Sequence, residues 1–154
     1  MKKRTMVLIA AFCMSVVAAS FAADNNLGTW KLNESKSKIP AGVAKNTMVV
    51  YTAEGGSYKC VMDGVDGAGS PTHNEWTGKF DGKDYAIAGD PAADARAIQM
   101  IDPRHYKLSN KKSAKATFTG TIEFSADGKT RTLTTHSTDA SGTKITGIAV
   151  YDKQ

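Results

Sequence analysis

The strongest constraint on this chain is a segment that it uses twice. Val49-Val50-Tyr51-Thr52-Ala53-Glu54-Gly55 returns as Ile122-Glu123-Phe124-Ser125-Ala126-Asp127-Gly128, displaced by 73 residues. The register then holds without a gap, because Asp66-Gly67-Ala68-Gly69-Ser70 returns as Asp139-Ala140-Ser141-Gly142-Thr143. Each copy reads as a strand, a tight acid-Gly turn, a second strand and an Asp-x-x-Gly turn. Asp at the first and Gly at the fourth position suit a type I turn, with the Asp side chain bonding back to the backbone. Two copies are too few for a stacked solenoid. A doubled β-meander over 49–70 and 122–143 fits, with Tyr51 and Phe124 expected on the same side of the sheet.

The start of the chain has a different character. Lys2-Lys3-Arg4 precedes an apolar run from Met6 to Ala19, and Ser20-Phe21-Ala22 offers small residues at −3 and −1. This is the pattern of a secretory signal over 1–22 with cleavage after Ala22. The apolar run is too short for a membrane anchor, and no later stretch has the length and apolarity of one. Phe12 before Cys13 stands where lipid attachment needs a small residue.

Removing that segment changes the charge argument. Lys plus Arg falls from 20 to 17 with the loss of Lys2, Lys3 and Arg4, against 15 acids, leaving +2. The remaining basic residues are dispersed, which is a solvated surface and excludes a nucleic-acid partner. Cys60 is then the one cysteine left, so no internal disulfide forms even on an export route that permits one. Stability must come from a core. The 132 residues of 23–154 suffice as a single domain, burying roughly two-thirds of their unfolded surface.

Short strands with turn signals between them fill this domain, as in sandwiches and barrels. They are expected at 28–33, 47–53, 57–64, 71–80, 84–88, 95–101, 104–111, 114–124, 129–138 and 143–152. A polar loop over 34–46, broken by Pro40 and Gly42, separates the first two. Asp81-Gly82 and Asp127-Gly128 are strong hairpin signs. No stretch keeps the apolar spacing of a long helix. The fold class is therefore all-β: an antiparallel up-and-down β-barrel or a strongly curved meander sheet of about 8–10 strands.

Alternation assigns faces. Over 114–124 the even residues Ala116, Phe118, Gly120, Ile122 and Phe124 face the core, opposite Lys115, Thr117, Thr119, Thr121 and Glu123. Trp76, Gly78 and Phe80 share a face opposite His73, Glu75 and Lys79, and Tyr58, Cys60 and Met62 oppose Lys59 and Asp63. The strand 129–138 differs, with Leu133 its one aliphatic residue among five threonines. It lies at a rim, or its inner side faces a polar, watered space.

Gly28-Thr29-Trp30-Lys31-Leu32 resembles the first strand of the calycin superfamily, the lipocalins and fatty-acid-binding proteins, whose Gly-x-Trp places a Trp at one end of the barrel. Val150-Tyr151-Asp152-Lys153 resembles the last strand of the fatty-acid-binding proteins. The hairpin from Glu75 to Tyr85 is similar to that of small secreted bacterial lipocalin-like proteins. The resemblance implies a barrel that carries a small ligand. Fatty-acid-binding proteins hold a carboxylate with Arg-x-Tyr on the last strand; Tyr151 matches the Tyr, but Ala149 stands in place of the Arg. A neutral, mostly apolar ligand is expected instead of a fatty acid.

The residues with chemical potential have plainer roles. His73, His105 and His136 sit on three separate strands without metal-ligand spacing, so no metal is expected. Cys60 alternates with apolar neighbours, as a buried structural thiol does. Asp63, Asp66, Glu75, Asp81 and Asp84 belong mainly to turns, not to an acid–base pair. No catalytic motif and no cofactor motif is present, so the chain is expected not to be an enzyme.

If the barrel is hollow, Trp76, Phe118 and Tyr151 are its ligand-binding wall and Arg131 its polar anchor. Two functions follow. One is a periplasmic or secreted carrier of a small hydrophobic molecule; the other is an envelope structural or protein-interaction module with a filled barrel. A grafted enzyme site ranks third. An outer-membrane barrel ranks last, because the strands are short and carry too few outward apolar residues for a lipid-facing band.

Overall fold

The computed structural model describes residues 24–154, and the export signal expected over 1–22 lies outside them. Ten antiparallel strands follow in chain order: β1 (Gly28–Leu32), β2 (Lys45–Glu54), β3 (Ser57–Val65), β4 (Pro71–Gly78) and β5 (Asp81–Ala88), then β6 (Ala95–Asp102), β7 (His105–Lys112), β8 (Lys115–Phe124), β9 (Thr130–Thr138) and β10 (Lys144–Lys153). Each pairs with its sequence neighbours, and β1 pairs with β10 through Trp30↔Lys153 and Leu32↔Tyr151. The sheet is a closed up-and-down barrel in which every strand has a paired neighbour on both sides.

The connections alternate between two ends. At one end lie the β2–β3, β4–β5, β6–β7 and β8–β9 hairpins with the chain's last residues. That end is plugged by aromatic rings. Trp30 and Phe124 are fully buried with ring centroids 5.4 Å apart, and Tyr106 stands edge-on to Phe124 at 5.7 Å. Phe80 stacks on Tyr58 at 4.1 Å and lies parallel to Trp76 at 6.2 Å. Both indole N–H groups are satisfied by backbone: Trp30 Nε1 donates to Asn26 O at 2.8 Å and Trp76 Nε1 to Arg96 O at 3.1 Å. The Gly-x-Trp residues thus place Trp30 in the closed end, as the resemblance implied.

The two copies of the repeated segment keep their faces. Tyr51 on β2 and Phe124 on β8 are both buried in the core. Their Asp-x-x-Gly turns share the same backbone bonds. Asp66 N donates to Ser70 O and Gly69 N to Asp66 O; Asp139 N donates to Thr143 O and Gly142 N to Asp139 O. In each, the Asp Oδ1 accepts from the amides two and four residues on. The first turns differ, with consequences for β9.

The 34–46 loop holds one 3-10 turn, Glu34–Lys36, capped by Asn33. Lys38 then bridges to Ile148 of β10, which holds the loop across the second end of the barrel. The β4–β5 seam is the thinnest in the barrel, with just Glu75↔Ala88 and Trp76↔Ile87 in register.

Candidate functional site

Above the aromatic plug the interior is hollow. A cavity of about 340 Å³ occupies the other half of the barrel, within the size range of small-molecule sites. Its wall is largely aliphatic, with Val49, Ile98, Leu108, Ile122 and Leu133 among the lining residues. Ile39, Val43 and Ala44 of the β1–β2 loop and Pro91 and Ala92 of the β5–β6 connection line its mouth. Thr72, Thr117, Thr135 and Ser137 add hydroxyls there. Thr72, Thr135 and Ser137 are the inward residues of their strands. Thr117, expected on the wet face, reaches the cavity where the β7–β8 register shifts between Asn110 and Lys111, and Ala116, expected to face the core, is exposed.

Phe118, Arg131 and Tyr151 all line this cavity. Trp76 does not. It is buried in the plug below, between Phe80 and the edge of Tyr85, and forms no part of the wall. Alternation placed it correctly inside the barrel, but it carries no information about height along the axis.

Arg131 points inward and is 4% exposed. It is the cross-strand partner of both Phe124 and Tyr151. Its guanidinium carbon lies 5.5 Å from the ring centres of Tyr51 and of Tyr151, a cation held between two aromatic faces. Tyr151 is fixed in turn, its hydroxyl donating to Asn46 O at 3.1 Å. The inner face of β9 is thus Arg131, Leu133, Thr135 and Ser137, all lining the cavity. Of the strand's five threonines only Thr135 lines the cavity, which is largely apolar, so the expected polar, watered space is not what this strand faces.

Sequence reasoning missed a second arginine. Arg96 on β6 also lines the cavity and is 9% exposed. Its Nε donates to Asn110 Oδ1 at 2.8 Å, and its Nη1 lies 2.9 Å from Met62 Sδ. The available signal was parity, since Arg96 alternates with the core residue Ile98. Asn74 and Asn110 are the buried asparagines that line the cavity with the two arginines.

Neighbouring groups stay neutral. Burial pushes the Tyr51 hydroxyl well above its ordinary range, and it pushes Tyr151 up to about 12. Burial likewise raises the Cys60 thiol, which packs in the core beneath the cavity. The histidines and most of the acids are elsewhere. His73 sits on the outer surface between Asp63 at 2.6 Å and Glu75 at 3.2 Å, and His105 pairs with Asp102 at 2.8 Å. Among the described residues no cluster of His, Cys, Asp or Glu is arranged to hold a metal ion.

No family model and no curated protein matches the chain. Among solved structures the chain is similar to one described as EF1p2_mFAP2b bound to DFHBI, at 10% identity and a TM-score of 0.51, over 86% of this chain and 97% of that one. At this identity the likeness is one of fold.

Proposed function

We propose that the chain binds a small, mostly apolar molecule inside the barrel and acts as a non-catalytic carrier or receptor. The observation that carries this is the half-empty interior, a cavity of about 340 Å³ with an aliphatic wall above an aromatic floor. A barrel of this size can fill its interior with side chains, and this one does so at one end alone. The thiol and the tyrosine hydroxyls near the cavity are held protonated by burial, which leaves them poor nucleophiles and supports a binding role. A periplasmic or extracellular location fits the basic-then-apolar pattern of 1–22.

A titration with Nile red, a neutral dye that brightens in apolar surroundings, tests this. One dye per chain is expected to bind, and Leu133→Trp, which fills the cavity from β9, is expected to weaken binding at least tenfold. Dye binding that ignores Leu133→Trp would place the apolar site elsewhere. Absence of dye binding would favour the filled-barrel interaction module.

A further inference from the structure

On the wall away from the last strands, the cavity carries a buried polar group that the chain leaves unsatisfied. Asn74 on β4 lines the cavity and is 9% exposed, and its Oδ1 is buried without a hydrogen-bond partner. In the order of the ten strands β4 lies five from β9 in either direction, so Asn74 stands across the interior from Arg131. It is the next inward residue above Trp76, where the aromatic floor ends and the hollow begins.

Neither flanking strand supplies a donor. On β3 the residue directly across is Met62, whose Sδ is itself an acceptor and takes a bond from Arg96 Nη1 at 2.9 Å. On the other side the β4–β5 ladder ends at Glu75↔Ala88, and Gly89 follows with φ +81°. Gly89 has no side chain, and a Cβ there would collide with the His73 carbonyl, so no larger residue can reach across to the amide. Arg96 donates through Nη1 to Met62 and through Nε to Asn110 Oδ1 at 2.8 Å, not to Asn74. A buried acceptor without a donor destabilises a fold, and an apolar side chain of the same size would avoid that cost.

We propose that Asn74 Oδ1 accepts a hydrogen bond from a neutral hydroxyl on the ligand, and that this bond selects which apolar molecules the barrel takes. A carboxylate at this place would set acceptor against acceptor. An ammonium would share the cavity with Arg96 and Arg131, both cations. A hydroxyl donates without adding charge. A site built to take a hydrogen bond discriminates against an analogue that lacks it, because its own polar group is then left unpaired. Asn74 is therefore a specificity-determining residue on β4, with the ligand's apolar body against the aliphatic wall. This rests on the reading that the cavity holds a small molecule, and it adds the group by which that molecule is recognised.

The test uses 1-octanol and 1-methoxyheptane, two isomers of which only the alcohol can donate, each competing with Nile red on the purified protein. Asn74→Leu keeps the size of the side chain and removes the acceptor. It is expected to weaken octanol binding at least tenfold and to change binding of the ether less than threefold. A merely structural role for Asn74 would move both ligands together.

Octanol binding that Asn74→Leu leaves unchanged, or equal losses for alcohol and ether, would overturn the proposal. So would Nile red binding that neither isomer displaces, an outcome that leaves the cavity reading standing. Failure of Nile red itself to bind removes both. If Asn74→Leu does not fold, Asn74→Val takes its place with the same outcomes.

Discussion

The two copies of the repeated segment share a spacing, a pair of faces and a second turn, yet they close their hairpins differently. In the first copy, Glu54 pairs with Ser57 and the loop is Gly55-Gly56, both with positive φ, at +55° and +83°. That is the two-residue turn that the twist of a hairpin prefers, and it requires positive φ at both centres. In the second copy Lys129 stands where Gly56 stood. The hairpin instead closes at Ser125 and Thr130 around a four-residue loop, with Gly128 at φ +68°. Ser125 Oγ donates to Asp127 Oδ1, and Asp127 Oδ1 also accepts from the Lys129 amide.

Loop length sets register. Tyr58 in the first copy pairs with Ala53 near the hairpin tip, whereas its equivalent Arg131 pairs with Phe124. Two extra loop residues therefore carry position 131 deeper into the barrel, between Tyr51 and Tyr151. Identical spacing in sequence has produced a stacked aromatic in one copy and a buried cation in the other. The residue differs by sequence, and the turn sets the depth at which it sits.

Breaking the shared core position should have the largest effect. Phe124→Ala removes a fully buried ring packed on Trp30 and Tyr106 and is expected to cost about 3–5 kcal/mol in urea unfolding. Tyr51→Ala is the equivalent change, but its ring already borders the cavity. Less packing is lost on that side, so its cost is expected to be about 1 kcal/mol lower. Equal losses would show that the two positions are equally packed and that the copies differ less than their surroundings indicate.

The turn itself can be tested next. Gly56→Lys places a side chain at φ +83° and is expected to cost about 1–2 kcal/mol. The reciprocal Lys129→Gly relieves nothing, because Lys129 is not among the positive-φ residues, and is expected to change stability by less than about 0.5 kcal/mol. If Gly56→Lys proves costless, positive φ is not what separates the two hairpins.

Much of this was legible beforehand, and the exceptions have physical reasons. The ten strands followed from turn residues and alternation, both of which are local, except that the Asp81-Gly82 hairpin sign fell inside β5 and the turn lies at Lys79-Phe80. Closure was not local: β1 meets β10 across nearly the whole chain, so the sequence left barrel and curved sheet as alternatives. Alternation on a threonine-rich strand with one aliphatic residue did not settle which way Arg131 points, and its neighbours were unknowable without the loop length that fixes its register. Phe118 and Tyr151 were correctly seen as inward-facing. Trp76 was assigned to the wall because alternation separates inside from outside and is silent on depth. Arg96 went unnoticed because its strand was read for its apolar residues and not for the face of its arginine.

The finest distinction between the copies lies in the turns they otherwise share. Ser141 occupies the place of Ala68, and its hydroxyl donates to Asp139 Oδ1 at 2.6 Å in addition to the backbone bonds. That hydroxyl, followed by the Thr143 amide, holds the Asp139 carboxyl below the usual carboxylate range. A carboxylate whose folded pKa is depressed contributes stability that is present above its unfolded pKa and lost as pH falls through the folded one. The sign is thus toward acid sensitivity, in the window below the ordinary aspartate value. Asp139 is fully exposed, so water screens the interaction and the effect on overall unfolding is expected to be small. The carboxyl carbon shift in an NMR titration reads it directly. Asp139 is expected to titrate below a free aspartate, and Ser141→Ala is expected to raise its midpoint toward the ordinary value while leaving the Gly142 turn intact. An unmoved midpoint in Ser141→Ala would assign the depression to the backbone amides, and the two turns would then be electrostatic as well as geometric equivalents.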